Sequence, residues 1–398
     1  MTNRPGLRAA APGALLALLA TTATCGLTAQ PAQAQTARQH RALDANGVDL
    51  VHGDFVMAFA EGSIGSGDGE LALVRTGIGS GNGSWHVSSG GHQWDGLYLI
   101  RSGGAGTAIS VNKDNRYELF SAMGTLPTGS SLAAAGAEHH YRSADGTLIV
   151  FGDPTGSWSP ASTYCNGSAG QGGCTQLPLS IATPDGRSVG LDWEIWQSCE
   201  DEIIDPENPP DCSYWARIAQ VSNGSGYRIA FTYASNGNSS QNGVPPPDSW
   251  QRRTSAALYN DLVSATSPQA SLSYAYPSTS IVEVTDSGGR VWRFAGTGLG
   301  ITAIRRPGAP SDTTSVSYGT GNVVSSVTSE GVTTGYARSV SGSTGTMIVT
   351  DALGQVSTVV SDLAIGRPAS VTDPLGRTTS YQYDSSGRLT RATAPEGN

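Results

Sequence analysis

Gly186-Arg-Ser-Val-Gly190 has the Gly-x-Ser-x-Gly spacing of a hydrolase nucleophile elbow. Such a serine works only on a strained strand-to-helix turn, with an acid and then a histidine following along the chain. Here Pro184-Asp185 precede it, Leu191-Asp-Trp-Glu-Ile195 alternates like a strand after it, and all six histidines lie at or before His140. The pattern therefore reads as a hairpin turn. Glu138-His139-His140 offers metal-ligating groups, but neighbours on a strand point to opposite faces and would not grip one ion. His52, His86 and His92 are isolated in Gly-rich stretches, and the histidines read as surface or internally satisfied groups.

Two further constellations have ligand chemistry. Glu200, Asp201, Glu202, Asp205, Glu207 and Asp211 crowd one stretch, and calcium takes clustered oxygens. Their spacing does not fit an Asp-x-Asp-x-Asp-Gly loop, and Pro206, Pro209 and Pro210 stiffen the segment; a solvated acidic loop is favoured. Trp193, Trp196, Trp215, Trp250 and Trp292 could stack on sugar rings. Trp193 is in phase with Leu191 and Ile195 and is assigned to the core, while Trp196 falls on the other face and is expected to be exposed. No catalytic, cofactor or metal residue is assigned from any of these patterns.

With Cys25 set aside, the cysteines are Cys165, Cys174, Cys199 and Cys212. An even number in an exported chain reads as two disulfides, and three connectivities are open. Pairing 165 with 174 and 199 with 212 is the most economical, each bond stapling one irregular loop. Zinc sites use cysteine pairs two to four apart, and these gaps are wider. Export itself is read from the N-terminus. Arg4 and Arg8 precede an apolar run at 9–20, and Ala32-Gln-Ala34 supplies small residues for cleavage. Residues 1–34 are thus expected to be a signal peptide, with lipidation at Cys25 the weaker alternative because Thr24 precedes it. The run is shorter than the roughly 20 residues of a membrane helix, and no transmembrane segment is expected.

The chain of 398 residues carries a net charge of −9, with 14% charged residues and 52 glycines. A nucleic-acid surface needs a concentrated basic face; no nucleic-acid partner is expected. The adjacent arginines Arg252-Arg253 and Arg305-Arg306 read as solvated turn residues. The profile suits a β protein whose many turns use the glycines.

The elements that must position these residues are legible toward the C-terminus. Glycines at 288, 308, 331, 354, 376 and 397 recur 20 to 23 residues apart, and a second set at 298, 321, 342, 366 and 387 divides each unit. Asp373-Pro-Leu-Gly-Arg, Asp351-Ala-Leu-Gly-Gln and Asp286-Ser-Gly-Gly-Arg share one turn pattern. Each half-unit is a run of Val, Thr, Ser and Tyr suited to a half-buried strand, followed by a turn in which Gly accepts positive φ. Asp286, Gly288, Asp351, Gly354, Asp373, Gly376 and Gly387 are the expected turn residues. The fold class is all-β, an antiparallel repeat array in which single hairpins are stabilised by their neighbours.

The stretch Thr372-Asp-Pro-Leu-Gly-Arg-Thr-Thr-Ser-Tyr-Gln-Tyr-Asp-Ser-Ser-Gly-Arg-Leu-Thr390 resembles the repeat of the RHS or YD-repeat family. Upstream units are looser; Gly331 lacks the Asp-Pro start and Gly354 is followed by Gln355. Degenerate hairpins are expected at 141–151 and 221–233, and residues 47–75 resemble the segment that precedes such repeats. The RHS toxin-release motif is a further comparison, but Arg377 stands where an apolar residue would be needed, and Asp373-Pro-Leu-Gly reads as an ordinary turn. The chain divides into 1–34, a Gly/Ser-rich β region at 35–140, degenerate hairpins with Cys-bearing loops at 141–280, and regular, open-ended repeats at 281–398. Residues 254–263 read as strand rather than helix, and 235–249 as a polar linker or long surface loop. Because 394–398 fill the turn that opens a next unit, the chain is expected to be the front part of a longer protein.

The resemblance implies a secreted or cell-surface, non-enzymatic shell or scaffold segment of a toxin-delivery or cell-surface interaction protein. Its partner would be a C-terminal cargo domain or a neighbouring cell-surface glycan. A stand-alone carbohydrate- or wall-binding module and an exported hydrolase with a scattered site are the alternatives.

Overall fold

The structure is a computed structural model that describes residues 42–79, 92–95, 97–101, 109–113, 116–154, 174–199, 212–237, 239–241, 246–298, 300–385 and 387–396. The signal peptide expected at 1–34, His86, Cys165 and the acidic stretch 200–211 lie outside the described residues. The N-terminal region forms β1 (Phe55–Ile64), β2 (Leu71–Gly79), β3 (Tyr98–Arg101), β4 (Ile109–Lys113), β5 (Arg116–Phe120), β6 (Gly124–Thr125) and β7 (Ser131–Ala135). Next come β8 (Glu138–Arg142), β9 (Leu148–Gly152), β10 (Cys174–Ala182), β11 (Ser188–Cys199), β12 (Cys212–Asn223), β13 (Tyr227–Tyr233) and β14 (Ser239–Gln241). The one-turn helix α1 (Asp248–Gln251) precedes β15 (Arg253–Asn260) and β16 (Ala270–Ser278). The repeats follow as β17 (Ile281–Thr285), β18 (Val291–Thr297), β19 (Gly300–Arg305), β20 (Thr314–Tyr318), β21 (Val324–Ser329) and β22 (Val332–Ser341). The last strands are β23 (Thr344–Thr350), β24 (Val356–Asp362), β25 (Arg367–Thr372), β26 (Thr378–Tyr383) and β27 (Leu389–Thr393).

Local chemistry accounts for the strands. In β17, Val282 and Val284 are buried between half-buried neighbours, and in β24 Ser357, Val359 and Ser361 are buried in alternation. This two-residue period gives these strands one core face. Antiparallel pairing carries the chain from β6 through β13. It then passes from β13 to β15 and onward, neighbour to neighbour, through β27. The segment 254–263, read as strand, belongs to β15 as far as Asn260 and is a turn over 261–263. The stretch 235–249 is not a plain linker: β14 pairs parallel with the end of β11, and α1 follows. Arginine content at its edge is likewise not solvated, since Arg253 is buried.

The ribbon curls. Its far end returns to its beginning where a Cβ on Gly387, in the β26–β27 turn, would stand 3.2 Å from the Pro127 carbonyl oxygen in the β6–β7 turn. The inner face is one apolar cluster running from Leu191 and Ile218 through Leu272, Val284, Phe294 and Val327 to Val359. Val48, Leu50, Phe55, Leu71, Leu73 and Trp94 from the N-terminal region belong to the same cluster. The β1–β2 hairpin is a separate two-stranded sheet, laid against that inner face. Each fully buried Leu or Phe there contributes roughly 1.5–3 kcal/mol of transfer free energy. The approach is close at Gly53, which has φ +82°; a Cβ there would stand 2.3 Å from Val323 Cγ1. A smaller cluster of Leu99, Val111, Phe120, Leu132, Tyr141, Ile149 and Phe151 lies under β3 to β9.

Candidate functional site

The greatest concentration of ionisable chemistry in the described residues lies between the N-terminal hairpin and the ribbon. Glu61 sits in β1 and Arg75 in β2, both buried, and Arg75 Nε donates to Glu61 Oε1. His92 Nε2 stands 2.8 Å from Glu61 Oε2, and the Tyr274 hydroxyl of β16 donates to the same oxygen at 2.6 Å. On the other side of the imidazole, Arg253 of β15 donates to His92 Nδ1 at 2.5 Å. Arg253 also grips Asp95 with two bonds, 2.9 Å to Oδ2 and 2.6 Å to Oδ1. Its guanidinium lies 4.3 Å from the Phe231 ring centroid.

The electrostatics follow from burial against pairing. Burial works to raise the Glu61 carboxyl, but the Arg75 charge, His92 and the Tyr274 hydrogen bond outweigh it and hold it down at about 2. Burial also opposes ionisation of Asp95, and Arg253 with His92 overcomes it, leaving the carboxyl well below the usual range. Burial, with the Glu61 charge, pushes the Tyr274 phenol well up. Every donor and acceptor in this group answers another within the chain. It can hold two layers together.

A second set of contacts anchors the preceding residues. Asn46 Nδ2 donates to the Tyr336 hydroxyl at 2.8 Å, and that hydroxyl donates to Asp44 Oδ2. Val324 N donates to the Gly53 carbonyl at 2.9 Å and Arg338 Nε to the Val51 carbonyl at 3.1 Å. Residues 44–53 are thereby tied to β21 and β22.

The repeat turns are built differently. In Asp373-Pro-Leu-Gly-Arg377, Asp373 Oδ1 accepts from the backbone N–H of Leu375 and Arg377, both at 2.9 Å, while Oδ2 accepts from Arg377 Nε at 2.6 Å. Gly376 takes φ +78°. Asp384 and Arg388 repeat the side-chain pairing at 2.8 Å around Gly387, φ +70°. In the Asp351 turn Gln355 replaces the arginine; the two backbone bonds to Asp351 Oδ1 remain, at 2.9 and 2.8 Å, and Gly354 has φ +79°. In the Asp286 turn, Gly288 is a turn residue whose N–H donates to Asp286 Oδ1 at 2.9 Å. The left-handed position is Gly289, φ +74°, and not Gly288, because the turn is counted from the aspartate, three residues on.

Other residues singled out by sequence fall apart in space. Ser188 begins β11 directly after the Thr183–Arg187 turn, in a hairpin with β10. His139 is buried with Nδ1 2.7 Å from Gln176 Oε1, while half-buried His140 pairs with Glu138 at 3.2 Å. Trp196 departs from expectation: it is buried, edge-on to Trp250 with centroids 5.9 Å apart. The polar excursion after β13 folds back over that face and covers it. Trp193 is half-buried against the main cluster, its Nε1 donating to the Pro178 carbonyl at 2.8 Å. Cys174, Cys199 and Cys212 lie at strand ends. A cleft of about 390 Å³ opens between Phe59, Trp292, Arg290 and Arg306. Both arginines are already engaged, by Asp286 and Glu330.

The buried group itself escaped sequence reasoning. Its one local signal is a carboxylate inside the apolar run Phe55-Val-Met-Ala-Phe-Ala-Glu61. Arg253 reads as a turn residue until strand alternation is known; Arg252 and Arg253 then face opposite ways, and only Arg253 meets Asp95.

The family model for the RHS repeat matches residues 363–398. No curated protein matches. Among solved structures, a chain of the TcdB2-TccC3-Cdc42 crystal structure is 10% identical with a TM-score of 0.34, covering 86% of this chain and 26% of that one. The Photorhabdus luminescens Tc holotoxin pore gives 11% identity and a TM-score of 0.35, covering 88% of this chain and 24% of the other. A porin-like protein from Bacteroides uniformis gives 7% and 0.18, over 75% and 91%. The chain spans about a quarter of the length of the first two.

Proposed function

We propose, from the RHS-repeat match at 363–398, that the whole ribbon is a structural wall segment of an RHS shell. The observation that carries this reading is the continuous apolar inner face, which receives residues of the chain's own N-terminal region and holds them by Glu61, Arg75, His92, Asp95, Arg253 and Tyr274. An apolar inner face of this kind supports a role in enclosing polypeptide. In this reading the protein is exported and non-enzymatic, and its partner is a polypeptide cargo carried C-terminal to the repeats.

The test is a competition assay in the producing strain. Deleting the gene should abolish inhibition of a susceptible neighbour, and supplying it in trans should restore inhibition. Undiminished inhibition after deletion, together with retention of the purified protein on isolated cell-wall glycan, would overturn the shell reading in favour of a surface-binding module.

A further inference from the structure

Backbone register orders the cysteines in a way their spacing does not. The β11–β12 ladder runs from Val189 opposite Asn223 to its last pair, Cys199 opposite Cys212. On the other edge of β11, Gln197, Ser198 and Cys199 pair with Ser239, Ser240 and Gln241 of β14. This end of β11 has a partner on each side, so a slip in register would break two ladders at once. Residues facing each other across an antiparallel pair have Cα atoms about 4.5–5.5 Å apart, inside the roughly 4.4–6.8 Å that a disulfide spans. Cys174 belongs to another ladder, opposite Arg101 of β3. β10 meets β11 over Ser180–Ala182 and Ser188–Gly190, at the opposite end of both strands from the cysteines.

We propose that Cys199 and Cys212 form a cross-strand disulfide within one chain, closing the end of the β11–β12 hairpin, and that Cys174 takes no part in it. Each thiol loses a proton, and the pair passes two electrons to a small-molecule disulfide of the oxidised-glutathione class. That disulfide leaves as two thiols as the new S–S bond forms. The bond fixes the hairpin end next to a packed joint. Trp196 of β11 meets Trp250 there, and Arg217 of β12 lies 4.4 Å from the Trp250 ring and donates to the Ser235 carbonyl at 2.9 Å. The hairpin end and the excursion between β13 and β15 are thereby held as one unit.

Trypsin separates the alternatives cleanly. No Lys or Arg lies between Arg187 and Arg217, so residues 188–217 are released as one peptide whose cysteines are Cys199 and Cys212. Cys165 and Cys174 share the peptide 143–187. The full chain is incubated with oxidised glutathione, free thiols are blocked with N-ethylmaleimide under denaturing conditions, and the protein is digested without reductant. Mass spectrometry should find 188–217 unlabelled, unlinked and lighter than its dithiol form by two hydrogens. Reduction should then expose two alkylatable thiols, and Cys174→Ser should leave the result unchanged. A cross-link from 188–217 to 143–187, a cross-link between two copies of 188–217, or maleimide on either cysteine overturns the proposal.

Discussion

Arg253–Asp95 and Arg377–Asp373 are the same chemical pair in opposite settings. The first joins residues 158 positions apart, and its side chains are 3% and 15% exposed. The second joins residues four apart, and its arginine is 53% exposed. In the buried pair neither charge tolerates loss of the other, because an uncompensated ion would remain away from water. In the turn pair only the arginine is exposed, so water replaces it at little cost, while Asp373, 3% exposed, keeps its local backbone donors at Leu375 and Arg377. The turns therefore specify a hairpin locally and repeatedly. The N-terminal hairpin is docked once, non-locally, by a group whose members depend on one another.

Replacing one member of the buried group is the sharpest way to break that comparison. Arg253→Met should lower unfolding free energy in urea by about 3–5 kcal/mol, since it strands Asp95 and removes the donor to His92. A loss no larger than that of a turn arginine would show the two settings to be equivalent. Leu73→Ala, at a fully buried position of β2, should cost about 2–5 kcal/mol and separates the apolar share of docking from the polar share.

Acid sharpens the contrast without mutation. Glu61 ionises at about 2 in the folded chain against 4.5 when free. A lowered folded value stabilises fully above the free value and is lost as pH falls toward the folded one. The melting midpoint should drop between about pH 4.5 and 2, and Glu61→Gln should flatten that slope. On the repeat side the effects are smaller. Gly376→Ala has open space around it but φ +78°, and should cost about 1 kcal/mol through backbone strain alone. Arg388→Ala, removing a half-exposed partner of Asp384, should stay within about 0.5 kcal/mol.

Much of the ribbon was legible before the structure, and for a physical reason. Strand alternation and turn chemistry are properties of five to ten contiguous residues. The expected hairpins at 141–151 and 221–233 are β8–β9 and β12–β13. The docking group was not legible. Apart from the neighbours His92 and Asp95, its partners lie between 14 and 213 residues apart, and a lone charge in a strand reads as solvent-facing until its neighbours are known. Trp196 failed for the same reason: alternation placed it opposite Trp193 correctly, but a returning segment bearing Trp250 turned that outer face into an interior.

Residue order alone settled that this chain makes hairpins, where they turn, and that their repetition yields an all-β array resembling RHS repeats, because φ preference, Asx hydrogen bonding and two-residue periodicity act within a few bonds. Folding in three dimensions settled which face is inside, which charges are buried, and which cysteines stand opposite each other. Those outcomes depend on register and curvature summed over many strands. Contacts between residues far apart in sequence leave no mark at either position until the ribbon has closed around its own N-terminal hairpin.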